Sequence, residues 1–209
     1  MKALFDPNGK LMTGIGRVGD HFLLSLLWLF CSLPIVTMGA ASAAMCQVSF
    51  QILDGEECHL LRDYFAAFKR NWKLGTVLHL AVLAVLAVFA LDVYFYVELA
   101  AANDVFGSPV LGMVFLIALM LALCLIWLYP YAVCYGGGFL RTVKMAFLLG
   151  MSNLGWTALM LALDAALVVG SFFLTFLAPF LPGLITLVNT LFLRRILRKY
   201  GRVPEKETE

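Results

Sequence analysis

A single aspartate interrupts the apolar run WTALMLALDAALVVG (156–170). An ionisable side chain within hydrocarbon is expensive, and so marks a site by default. No basic residue lies near Asp164 in the apolar runs. It is therefore neutralised by a proton, hydrogen-bonded to a neighbouring helix, or open to a wet cavity. Asn189 stands inside the last apolar run, and His79 near the start of the third. Asp92 and Glu98 fall toward the far end of that third run, where water reaches them. Asp92 and Asp164 do not suit an aspartyl pair, because their depths differ.

Two helix breaks could also do chemistry. In SLPIVTMGAASAAM (32–45), Pro34 has no amide proton and ends a helix, and Thr37 can cap the next one. Gly39, Ala40, Ala43 and Ala44 offer a small-residue surface for close helix packing. The same geometry could aim a helix N-terminus, with its free amide protons, at an anion. LAPFLPGL (177–184) repeats the break with Pro179, Pro182 and Gly183. Paired breaks point to a central site in some transporters. The candidate polar or ligand site is accordingly Thr37, Gly39, Asp164 and Asn189, with Pro34, Pro179 and Pro182 as hairpin breaks.

Other motifs reduce to structure. GIGRVG (14–19) spells a dinucleotide fingerprint, but lacks the strand before it that such a loop needs. Cys58-His59 has no second pair at zinc spacing. Of the five cysteines, Cys31, Cys46, Cys124 and Cys134 lie in apolar runs as small hydrophobes. No nucleophile has a base nearby. The expectation is no enzyme activity, no metal and no cofactor.

The elements that must position these residues are membrane helices. The 209 residues are 63% hydrophobic and 13% charged, with a mean hydropathy of +0.94. Soluble domains carry about 25% charge, so a bilayer is the solvent. The net charge of +2 gives no reason to expect nucleic acid. Six apolar segments, about 21–36, 38–53, 75–99, 110–135, 153–178 and 183–198, form one integral domain over 1–209. The predicted fold is an all-α, polytopic transmembrane bundle. The first two segments reach roughly 24 Å each at 1.5 Å per residue, short of the ~30 Å core. They cross with thinning or form a re-entrant hairpin.

All 15 basic residues precede the first segment, lie in the connections 54–74 and 136–152, or close the chain. The corners near 36–38, 100–109 and 179–182 hold none. The positive-inside rule then places both termini in the cytoplasm. It also argues against signal cleavage after Ala43, which would start the basic stretch 54–74 outside. Leu61, Tyr64, Phe65, Phe68 and Trp72 recur at helical spacing within 59–72. They predict an amphipathic helix lying in the cytoplasmic interface, against anionic lipid. FLRTVKMAF (139–147) is a fainter copy. Trp72, Trp127, Tyr129, Tyr131, Tyr135 and Trp156 read as an interfacial aromatic belt.

SLLWLFCSLPIVTMGAASAAM (25–45) resembles the YesL-like family of bacterial integral membrane proteins, domain of unknown function 624. The match rests on Leu27, Trp28, Ser32, Leu33, Pro34, Thr37, Gly39 and Ala43. DYFAAFKRNWKLG (63–75), LRTVKMAFLLGMSNLGWT (140–157) and PGLITLVNTLFLRRILRKY (182–200) are also similar to the family's later elements. Ser25 departs from an asparagine expected there, which leaves a polar contact at that position in question. The resemblance implies a bacterial cell-membrane protein working beside carbohydrate uptake, with membrane lipid and ABC sugar-transporter subunits as partners. A small solute transporter or channel is the alternative function.

Overall fold

The computed structural model describes residues 10–102, 104–173 and 175–199. All regular structure among them is helical: α1 (Lys10–Cys31), α2 (Met38–Asp54), α3 (Leu60–Ala102), α4 (Asp104–Tyr135), α5 (Phe139–Ser152), α6 (Leu154–Phe173) and α7 (Leu181–Lys199). Short 3-10 turns at Ile35–Thr37 and Thr175–Phe180 precede α2 and α7. The expected all-α membrane bundle is present. Among the described residues, five helical stretches are long and apolar enough to cross a bilayer: Ile35–Asp54, Leu60–Glu98, Gly112–Tyr135, Leu154–Phe173 and Ala178–Leu197. The expected first segment, 21–36, is the exception. Helix α1 ends at Cys31, and its inner face carries His21 and Ser25, both buried.

Helix α2 is the centre of the bundle. Ala40, Ala41, Ala44 and Val48 are wholly enclosed, because small side chains let three neighbouring helices approach at once. Between lipid-solvated helices, close van der Waals packing and hydrogen bonds supply the association energy. Both are found here. An added Cβ at Gly39 would strike the backbone carbonyl of Gly75, and one at Gly75 would sit 2.9 Å from the Cα of Ala40. Below that crossing, Asn71 Nδ2 donates to Gln47 Oε1 at 3.1 Å and to the Ala67 carbonyl at 2.9 Å.

The interfacial helix expected at 59–72 is not separate. It is the first third of α3, one helix of 43 residues, about 64 Å long at 1.5 Å per residue. Nothing between Trp72 and Gly75 breaks it, since Gly75 serves packing. The residues of the expected lipid-facing side divide. Leu61, Phe65 and Trp72 are exposed, as that side requires, whereas Tyr64 is buried with Ala67, Asn71 and Leu78 against the bundle. Beyond His79, α3 pairs with α4 as an arm with largely exposed apolar faces, among them Leu91, Phe95, Met113 and Phe115.

The corner of the first hairpin therefore meets α3 at Gly75, about 40 Å along the helix from its end at Ala102. Leu33, Ile35 and Val36 are exposed there. The corner hydrogen-bonds itself: the Ser32 amide donates to the Trp28 carbonyl and the Thr37 amide to that of Pro34, at 2.8 and 2.9 Å. The Thr37 hydroxyl donates to the Cys31 and Pro34 carbonyls at 2.6 and 2.8 Å.

The aromatic belt is likewise revised. Trp127 is 1% exposed and donates its indole N–H to Thr157 Oγ1 at 3.0 Å. Tyr131 is buried and stacks on Tyr135 with ring centroids 4.9 Å apart. Trp72 and Trp156 remain outward. Indole and phenol polar ends can be satisfied inside as well as at headgroups, and residue type alone does not separate the two settings.

Candidate functional site

Helix α6 presents two faces. Leu159, Leu163, Val169, Phe172 and Phe173 are exposed, while Thr157 and Met160 are buried. Asp164 lies at the boundary and turns toward α7. There Asn189 Nδ2 donates to Asp164 Oδ2 at 2.9 Å. This settles one of the alternatives left by the sequence: the aspartate is hydrogen-bonded to a neighbouring helix. It is also open to a cavity. The remaining oxygens of the pair, Asp164 Oδ1 and Asn189 Oδ1, are buried and accept no hydrogen bond.

Both residues line a cavity of about 320 Å³ between α1, α2, α4, α6 and α7. That volume falls at the small end of ligand-binding sites. Trp28 and Ser42 close one side, with the indole N–H donating to Ser42 Oγ at 3.0 Å. Helix α7 brings Pro182, Thr186, Asn189 and Thr190 to the other, spaced so that all fall on one helical face. Tyr129 completes the polar lining from α4. Its hydroxyl is 3.0 Å from Nδ1 of His79, whose Nε2 is buried without a partner.

Close packing sets the position of α7. A Cβ at Gly183 would collide with Ser25 Oγ and the His21 carbonyl. Ser25 Oγ donates to that carbonyl at 2.9 Å and reaches the Phe180 carbonyl at 3.4 Å. The polar contact left in question at Ser25 is thus made by serine. His21 is fixed too. Its Nδ1 donates to the Arg17 carbonyl at 2.7 Å, so Nε2 accepts from Ser49 Oγ, also at 2.7 Å. At the other end of α7, Arg194 pairs with Asp54 at the end of α2.

The sequence candidates thus divide. Asp164, Asn189 and Pro182 meet in one cavity. Thr37 and Gly39 do not line it: the first closes the corner and the second packs on Gly75. Pro34 sits exposed at that corner, and Pro179 lies within the 3-10 turn before α7. Asp92 is exposed and lines a different groove, beside Phe89 and Ile117. His79 is in the second layer. Sequence reasoning missed Trp28, Ser42, Tyr129, Thr186 and Thr190 as lining residues. The i, i+3, i+4 spacing of Thr186, Asn189 and Thr190 was the available signal.

Residues 22–93 match the model of a protein family described as Protein of unknown function, DUF624. The similarity to DUF624 is confined to this segment, about a third of the chain. The segment runs from α1 through the corner and α2 into α3, so it contains the Gly39–Gly75 crossing and the Trp28–Ser42 wall. The opposite wall, with Tyr129, Asp164 and Asn189, lies outside the matched segment. No curated protein matches the chain, and no solved structure does. The apolar helices and the family match together make this a membrane protein of unknown function.

Proposed function

We propose that the chain is a multi-pass component of the bacterial cell membrane that binds a small polar solute and serves ABC-type carbohydrate uptake, without catalysing a reaction. The observation that carries this reading is the Asp164–Asn189 pair, which holds two buried, unpartnered acceptor oxygens at a cavity. Buried polar groups in native proteins are normally satisfied, and a hydroxyl-bearing solute would satisfy these. Acidic and amide oxygens beside Trp and Tyr suit a sugar's hydroxyls and its apolar ring face. The family resemblance supports the carbohydrate class and sugar-transporter subunits as partners.

In this reading both termini are cytoplasmic, in keeping with the basic connections. The first hairpin is re-entrant. Its corner stops at Gly75 and exposes Leu33, Ile35 and Val36, which suit hydrocarbon better than water. Irregular backbone at membrane depth needs its polar groups satisfied, and this corner makes its own hydrogen bonds.

Growth on single sugars tests the function. A sugar on which a deletion strain grows poorly is expected to be one on which Asp164→Asn grows poorly as well. Normal growth of Asp164→Asn on every sugar that the deletion impairs would reject the site. Affinity purification from gently solubilised membranes is expected to recover a sugar-transporter subunit, and its repeated absence would reject the partner.

A further inference from the structure

We infer that the cavity selects a solute carrying a positive charge, an ammonium group alongside its hydroxyls, over the neutral polyol of the same size. The inference rests on the solute-binding reading above and narrows its substrate class.

The charge inventory of the cavity is one-sided. Its described lining comprises one carboxylate, one amide, the hydroxyls of Ser42, Tyr129, Thr186 and Thr190, a tryptophan, and otherwise apolar side chains, Cys46 and Pro130 among them. No Lys, Arg or His is among these lining residues. Arg194 follows the lining residue Leu193 in sequence, but its guanidinium is paired with Asp54.

The Asp164–Asn189 pair leans the same way, although the four hydroxyls of the lining can donate as well as accept. Asn189 Nδ2 is committed to Asp164 Oδ2, and the Trp28 N–H to Ser42. What the pair leaves without a protein partner is two buried acceptors, Asp164 Oδ1 and Asn189 Oδ1. A ligand donor would satisfy these, whereas a ligand acceptor would not. An ammonium brings three donors and no acceptor, and a charge-assisted bond to carboxylate is roughly twice as strong as a neutral one. An ammonium compensates the charge of an ionised carboxylate, which a hydroxyl cannot do, and in a low-dielectric setting interactions between charges are strongest. Trp28 and Tyr129 in the same wall add aromatic rings, whose faces attract cations.

The test is a pair of probes differing only at one position, D-glucosamine and D-glucose. Binding to the full chain in lipid nanodiscs is measured calorimetrically near neutral pH, for wild type, Asp164→Asn and Asp164→Glu. Wild type is expected to bind glucosamine at least about tenfold more tightly than glucose. Asp164→Asn is expected to lose that preference, and Asp164→Glu to retain it in part. Equal binding of the two sugars by wild type, or tighter binding of glucose, would overturn the charge selection and leave the solute-binding reading standing. A preference that survives in Asp164→Asn would overturn the assignment to this carboxylate. Binding of neither probe would overturn both readings for sugar-sized solutes. The thermal transition of each variant, compared with wild type, separates loss of the charge from loss of the fold.

Discussion

Gly39 and Asp164 show how differently single residues betray their roles. Gly39 reads equally well as a helix breaker, part of an anion site or a packing surface, and only its contact with the Gly75 carbonyl decides for packing. This gives a prediction whose sign discriminates. Glycine to alanine inside an ordinary helix gains up to about 1 kcal/mol. Gly39→Ala should instead lower the thermal transition of the solubilised protein, at a cost of about 1–3 kcal/mol, the usual range for overpacking. A raised transition would mean that α2 and α3 do not touch there. Asp164 was legible as a site residue because an acid in an apolar run demands explanation. Its partner Asn189 was visible too, but their pairing was not, since nothing in sequence spacing brings α6 and α7 into register. Trp127 and Tyr131 misled because an aromatic ring at a helix end looks the same whether it faces headgroups or a buried threonine.

At the level of elements, the apolar segments and their order could be read from composition and charge, and the later helices lie where these patterns put them, whereas α1 runs Lys10–Cys31 rather than over the expected 21–36. The continuity of α3 could not. Amphipathic spacing over 59–72 and an apolar run from 75 onward look like two helices, because the change in environment falls between them. The backbone has no reason to break at that change. Leu74→Pro tests the continuity directly. Proline in a helix interior costs about 3 kcal/mol or more, so an unbroken α3 predicts a marked fall in thermal stability and loss of the Asn71–Gln47 contact. A hinge between two separate helices would accept the substitution with little change. The lipid-facing side of this stretch was legible, but the face that packs on α2 was not. Large apolar residues marked the lipid-facing side, while the bundle took the side with Ala67, Asn71 and Gly75, which a small-residue helix can approach.

For the whole molecule, the distribution of charge supports the topology proposed above, and the packing bears on its first hairpin. Basic residues cannot distinguish a hairpin that crosses from one that turns back, since both return the chain to the same side. The apolar, self-bonded corner favours turning back. Cysteine substituted at Ile35, in a background lacking the native cysteines, should resist impermeant maleimide applied from outside the cell and react with a lipid-permeable one. Rapid labelling from outside would make the first two segments full spans. The cavity itself could not be foreseen, because it needs five helices whose relative placement depends on contacts such as Gly183 against Ser25.

The function proposed here requires water to reach Asp164 through the protein. Asp164→Cys, again without the native cysteines, measures this in sealed membrane vesicles. Modification by a charged, water-soluble methanethiosulfonate is expected, with a rate that falls when a bound solute fills the cavity. A thiol at 164 that reacts only with a lipid-soluble maleimide would place the residue against hydrocarbon, and there would then be no solute site at this position.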